Sequence, residues 1–340
     1  MIATASPLNL TLRHAFSTSR STQHVAENVL LEIRDGDLIG RGEASPVHIY
    51  NQTQASCIRA LTTMAKRLVT RDPFELETIL ADLRARFPGE PSAIAAVDIA
   101  LHDLLGKKLN LPLWKWWGLD PKKTPQTSFT IGIDSMEKVV AKVAEAQKYP
   151  VLKIKLGVAG DMEILREVRR LVPKKVLRVD ANCGWTVKES IQNAKVLEEL
   201  GVEFLEQPIP SGNNAALKKI KNSIGISLMT DESSLVPGDV PALAGCVDGI
   251  NIKLVKCGGL REALKMIHIA RACGLKIMLG CMIESSVLIG AAAQLSPLAD
   301  YADLDGNVLI ADDPFSSVKL DKKAKLILND RAGIGCEKIV

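Results

Sequence analysis

Apolar and polar positions change rhythm near residue 125. Before it, "HVAENVLLEIRDGDLIGRGEASP" alternates and turns at Asp35-Gly36, which predicts a β-hairpin. "QASCIRALTTMAKRLV" and "PSAIAAVDIALHDLLGKKLN" place apolar residues at steps of three and four and predict helices, and "LPLWKWWGLD" reads as a packed connection. After Pro125, short apolar runs alternate with amphipathic helical stretches: "TSFTIGI" then "SMEKVVAKVAEAQKY", "LKIKLG" then "DMEILREVRRLV", "VLRVDAN" then "VKESIQNAKVLEEL". "EFLEQP", "SLMTDES", "GINIKLV", "KIMLGCM" and "YADLDG" complete a set of eight predicted strands.

Repeated strand–helix units of this length predict an α/β fold, a (β/α)8-type (TIM-like, modified) barrel. An open doubly wound sheet would want a Gly-rich dinucleotide turn after its first strand, and "TIGIDSM" lacks one. Three segments are expected: an α+β capping domain over 1–124, the barrel over 125–311, and a tail over 312–340 that packs back on the cap. The cap then sits over the barrel mouth and excludes water.

Composition narrows the partners. The 340 residues carry 43 basic and 39 acidic side chains, a net charge of +4 that favours neither nucleic acid nor a membrane surface. No apolar run reaches the length of a membrane span, and the start lacks a secretory signal pattern. Seven scattered cysteines without a CxxC pair suit reduced thiols in a cytoplasm. The expected partner is a small molecule; a homo-oligomer is compatible with the sequence, which does not state an assembly.

The charged residues at the strand ends carry the chemistry. Lys155, Asp180, Glu206, Asp231 and Lys253 recur at nearly equal steps, on the second to sixth predicted barrel strands. In a closed ring of eight the second and sixth strands face each other, so the two lysines flank an arc of three carboxylates. Three carboxylates form an all-oxygen site suited to Mg2+, whereas zinc would want His or Cys. Lys153 and Lys155 lie two apart on one strand and share a face. An ordinary lysine, with a pKa of about 10.4, is no base at neutral pH. A neighbouring ammonium and a divalent cation are expected to lower the pKa of Lys155 into a useful range. The reaction that follows is removal of the proton α to a substrate carboxylate, leaving an enediolate, and its return from the opposite face.

The motifs "KIK" at 153–155, "RVDAN" at 178–182, "EQP" at 206–208, "TDES" at 230–233 and "NIKLVKCGG" at 251–259 resemble the enolase superfamily, in its muconate lactonising subgroup; "GRGEASP" extends the likeness into the cap. The resemblance implies magnesium on Asp180, Glu206 and Asp231, Lys155 and Lys253 as acid/base pair, and Lys153 on the substrate carboxylate. "DLDG", with Asp303 and Asp305, resembles the element by which dipeptide epimerases hold the substrate α-ammonium. Arg20 aligns with the mobile-loop arginine that pairs with a glutamyl carboxylate in Ala-Glu epimerases, and Thr130 and Ile283 match pocket-lining positions. Cys183 departs from the pattern, standing where a polar residue such as Gln is expected. The implied activity is Mg-dependent epimerisation of a dipeptide at its C-terminal residue, with L-Ala-D/L-Glu from peptidoglycan turnover favoured. Alternatives are hydrophobic or other dipeptides, N-acylamino acid racemisation, and an o-succinylbenzoate synthase-like or muconate cycloisomerase-like lyase. The acidic pair on the eighth strand disfavours the non-dipeptide reactions, which have no ammonium to anchor.

Overall fold

A computed structural model describes residues 1–339. The chain opens with an antiparallel sheet of β1 (Ile2–Ser17), β2 (Thr22–Asp35) and β3 (Leu38–Ala44), with the β2–β3 turn at Gly36. The long β1 was not anticipated from the sequence, although Leu8, Leu10 and Leu12 alternate with the exposed Asn9 and Thr11 along it. Three helices follow, α1 (Gln54–Leu68), α2 (Leu76–Arg86) and α3 (Pro91–Leu109), and α2 is likewise an addition to the two expected. The central α3 is buried along most of its length and lies on β3. Gly40 and Gly42 allow that approach, because a Cβ at either would overlap the carbonyl oxygen of Ala100 or Ala96. Val29, Leu31, Ile33, Leu61, Leu80 and Leu101 are among the residues of this cap's apolar core.

A one-turn helix, α4 (Leu113–Trp116), leads to the barrel. Its strands are β4 (Phe129–Ile131), β5 (Val151–Lys155), β6 (Val176–Asp180), β7 (Val202–Glu206), β8 (Ser227–Thr230), β9 (Gly249–Ile252), β10 (Lys276–Gly280) and β11 (Tyr301–Asp303). They pair parallel in sequence order, and the ring closes where the Ser128 N–H donates to the Ala302 carbonyl at 3.1 Å. The intervening helices are α5 (Met136–Glu145), α6 (Asp161–Leu171), α7 (Val187–Glu199), α8 (Asn214–Lys221), the short α9 (Val240–Leu243) and α10 (Leu254–Cys257), α11 (Leu260–Ala272) and α12 (Ser286–Gln294). No helix follows β11 among the described residues, so the (β/α)8 pattern is modified at its last unit.

Period-two alternation explains what fills the barrel. Toward the N-terminal ends of the strands, Phe204, Met229 and Met278 pack with Tyr301, and the Arg178 guanidinium lies over the Phe204 and Tyr301 rings at 5.3 and 4.9 Å. Two residues further along β5, β6 and β7, the inward positions become Lys155, Asp180 and Glu206. The tail contains β12 (Phe315–Ser316) paired with β15 (Glu337–Lys338), and β13 (Lys319–Leu320) paired with β14 (Leu326–Ile327). It meets the N-terminal region where Ile334 N–H donates to Asp103 at 3.0 Å and Leu113 N–H donates to the Gly333 carbonyl at 3.0 Å. It also belongs to the barrel, since Phe315, Leu326 and Ile334 join the barrel's core. No helix is long and apolar enough to cross a membrane among the described residues.

Candidate active site

Cap and barrel enclose a cavity of about 310 Å³ at the C-terminal ends of the strands. Phe16, Arg20, Asn28 and Tyr50 come from the cap; Thr130, Lys155, Asp231, Lys253, Ile283, Asp303 and Asp305 come from the barrel. The tail beyond Leu309 lines none of it.

Asp180 ends β6, Glu206 ends β7 and Asp231 follows β8. All three are buried, and each offers an oxygen within 4.8 Å of those of the other two. These are hard oxygen donors from three consecutive strands, the donor set that Mg2+ accepts. Burial and repulsion from Asp180 push the Glu206 carboxyl above its ordinary range, a strain that a bound cation relieves. The residues therefore fit the cation that the sequence implies.

The carboxylates have close cationic neighbours. Lys155 Nζ lies 2.7 Å from Asp180 Oδ2, and Lys253 Nζ 2.9 Å from Asp231 Oδ2. Lys256, unassigned from the sequence, bonds the other Asp231 oxygen and, at 2.7 Å, the Asp231 carbonyl. Burial opposes charge on both partners of the Lys253–Asp231 pair. Their attraction outweighs it, holding Lys253 above the usual lysine range and, with Lys256, Asp231 well below the carboxylate range.

Lys153 is fully buried and is not among the residues lining the cavity. Its ammonium sits 2.6 Å from Glu206, 2.7 Å from Asp303 and 3.2 Å from Asp180. An unpaired ammonium so placed would cost several kcal/mol, and three carboxylates compensate it. The repulsion between Lys153 and Lys155 is thus answered by Asp180, which binds both. Burial opposes the Lys153 charge, but Asp303, Glu206 and Asp180 outweigh it and raise the group well above the lysine range.

At the end of the last barrel strand, Asp303 accepts from Ser128 Oγ at 2.5 Å and Thr130 Oγ1 at 3.3 Å, and Asp305 accepts from the Thr130 N–H at 2.6 Å. Burial and the neighbouring Asp303 raise the Asp305 carboxyl to about 7. Arg20, on the turn between β1 and β2, reaches over the mouth. Its Nη2 is 2.5 Å from Glu232 Oε1 and its Nη1 3.8 Å from Cys183 Sγ. The Ser19 hydroxyl docks the same turn on the Asn182 carbonyl at 3.0 Å. Asn182, Cys183 and Gln207, just past the ends of β6 and β7, have positive φ of 43°, 64° and 33°, backbone strain clustered at the mouth.

Sequence reading missed Tyr50, Glu232, Lys256 and Asn251, whose Nδ2 donates to Glu206 Oε1 at 2.7 Å. Glu232, Lys256 and Asn251 lie inside the quoted motifs, where their types gave a signal. Tyr50 gave none, because only the folding of the cap brings it over the barrel.

Residues 3–118 match the mandelate racemase / muconate lactonizing enzyme N-terminal domain, and residues 135–338 the enolase C-terminal domain-like family. The chain is 42% identical over 335 residues to an L-Ala-D/L-Glu epimerase of Bacteroides thetaiotaomicron, covering 98% of this chain and 87% of that protein. A dipeptide epimerase from Enterococcus faecalis, in complex with Mg and L-Leu-L-Tyr, superposes with a TM-score of 0.93 at 32% identity, over 98% of both chains. The substrate-liganded L-Ala-D/L-Glu epimerase of Bacillus subtilis does so with a TM-score of 0.94 at 30% identity, over 99% of this chain and 98% of that one. With both domains matched and epimerases as its relatives, the chain is an isomerase that belongs to the mandelate racemase / muconate lactonizing enzyme family of the enolase superfamily.

Proposed function

We propose that the protein epimerises a dipeptide at the α-carbon of its C-terminal residue, with L-Ala-D/L-Glu, a product of peptidoglycan peptide turnover, as the favoured substrate. One observation carries the reading. Lys155 and Lys253 flank the Asp180–Glu206–Asp231 triad, while Asp303 and Asp305 line the same cavity. Asp180, Glu206 and Asp231 would hold Mg2+, which when bound would supply the positive field that acidifies the carbon next to the substrate carboxylate. Asp303 and Asp305 receive the α-ammonium, and Thr130 orients both. Lys155 and Lys253 then take the proton from one face and return it on the other. The cap excludes water while the α-carbon is deprotonated.

Arg20 supports an acidic side chain on the substrate, as does the relative from Bacteroides thetaiotaomicron. A second reading, a hydrophobic dipeptide, is favoured by the apolar wall of Phe16, Met282, Ile283 and Leu309 and by the prior engagement of Arg20 with Glu232. A panel of dipeptides incubated with enzyme and Mg2+ in deuterated water tests both. Inversion with deuterium at the C-terminal α-carbon is expected, fastest for L-Ala-L-Glu; no exchange in any dipeptide would refute the function.

A further inference from the structure

Two buried acids of the cap end on the barrel, each at the start of a helix. Asp98 on α3 accepts from the backbone N–H of Leu260 at 2.6 Å and of Arg261 at 3.3 Å, at the start of α11. Glu43 on β3 accepts from the N–H of Ser285 at 3.0 Å, from the Ser285 hydroxyl, and from the N–H of Leu288 at 3.4 Å, at the start of α12. Both satisfy N–H groups that a helix start leaves open, and both carboxylates meet the positive end of a helix dipole.

Glu43 does something more. Its Oε1 also accepts from Asn28 Nδ2 at 2.7 Å, and the same amide nitrogen donates to the carbonyl of Ile283 at 2.9 Å. Ile283 is therefore gripped from both sides: its carbonyl by Asn28, and the next residue but one, Ser285, by Glu43. Asn28 and Glu43 stand on neighbouring strands of the cap sheet, Leu30 pairing with Glu43, so the grip comes from a rigid element. Ile283 and Met282 are wall residues of the cavity.

We propose that Glu43, acting with Asn28, is a positioning residue that sets the Met282–Ile283 wall and so decides which substrate side chain the cavity accepts. This rests on the dipeptide reading of the site. Asp98 is the control, since it makes the same kind of bond from cap to helix without touching the wall.

The test compares kcat and KM of the Mg-loaded full chain for L-Ala-L-Glu and L-Ala-L-Leu. Glu43→Ala should change the ratio of the two specificity constants by about tenfold, the scale of a misfitted pocket, through KM rather than kcat. Glu43→Gln, which keeps an oxygen for Asn28 and the Ser285 N–H, should restore the ratio. Asn28→Ala should shift it in the same direction and add little on top of Glu43→Ala. Asp98→Asn should lower Tm and leave the ratio alone. An unchanged ratio in both Glu43→Ala and Asn28→Ala overturns the proposal, whatever happens to Tm. If Glu43→Ala does not fold, the protection of amides 282–288 in Asn28→Ala decides, because Asn28 itself lines the cavity. If the wild type turns over no dipeptide, the dipeptide reading fails separately, and hydrogen exchange decides this one. Amides 282–288 should lose protection in Asn28→Ala and Glu43→Ala but not in Asp98→Asn, and retained protection in the first two overturns it.

Discussion

Lys155 and Lys253 reach one group of carboxylates from β5 and β9, strands four places apart in a ring of eight, the first bonding Asp180 and the second Asp231. Glu206 ends the strand midway between them. In the proposed reaction, a substrate carboxylate drawn to the triad would have an amine toward each face of its α-carbon.

Removing either amine should cost the proton transfer on its side. Lys155→Ala and Lys253→Ala should each lower epimerisation by ~10²–10⁴-fold, the usual worth of a positioned acid or base. Each variant should still exchange the α-proton of one epimer in deuterated water, and the epimer that still exchanges should differ between them. Wild-type rates in either variant would contradict the two-lysine scheme.

Chelation should abolish turnover and Mg2+ should restore it. Titration calorimetry on Asp180→Asn, Glu206→Gln or Asp231→Asn should show Mg2+ affinity reduced by more than about 100-fold, since loss of an outer-shell partner alone costs 10–100-fold. In the wild type, Mg2+ at 100 times its Kd should stabilise the fold by about 2.7 kcal/mol, read as a rise in Tm. A Tm indifferent to Mg2+ would speak against the triad as the binding site.

The acidic pair at the end of the last strand predicts a requirement for a free amine. Asp305→Asn should raise KM for dipeptides by ~10–100-fold, the worth of a hydrogen bond to a charged group. It should leave N-acetylated dipeptides, poor substrates from the outset, unaffected. Equal losses for both substrate types would remove Asp305 from the role of ammonium anchor.

Between cap and barrel, Glu43 and Glu284 are both buried, and burial raises them to about 7 and about 8, from an ordinary 4.5. An acid raised on folding stabilises the native state fully below its unfolded pKa, and that stability drains away as pH rises through the folded value. Denaturant unfolding should therefore show wild-type stability falling between pH 4.5 and 8. Glu284→Gln should remove a few kcal/mol of that fall. A parallel decline in the variant would show that Glu284 does not titrate in this range.

The sequence by itself determined the strand–helix rhythm after Pro125 and the parity that turns Lys155, Asp180 and Glu206 inward, because both follow from local periodicity. Spacing also picked out Asp231 and Lys253, and the family resemblance pointed to Thr130, Ile283, Asp303, Asp305 and Arg20; the fold brings all of these to one cavity. β1 and α2 went unread although each carries an apolar pattern, Leu8, Leu10 and Leu12 at steps of two and Leu76, Ile79, Leu80 and Leu83 at steps of three and four. What only the tertiary structure decided are relations across the ring and across the domain seam. Closure of the barrel puts Asp303 of the last strand against the buried Lys153 of the second. Docking of the cap brings Tyr50, Asn28 and Glu43 to a barrel more than 200 residues away for Glu43 and Ser285. Such pairings depend on where whole elements pack, which no local spacing records.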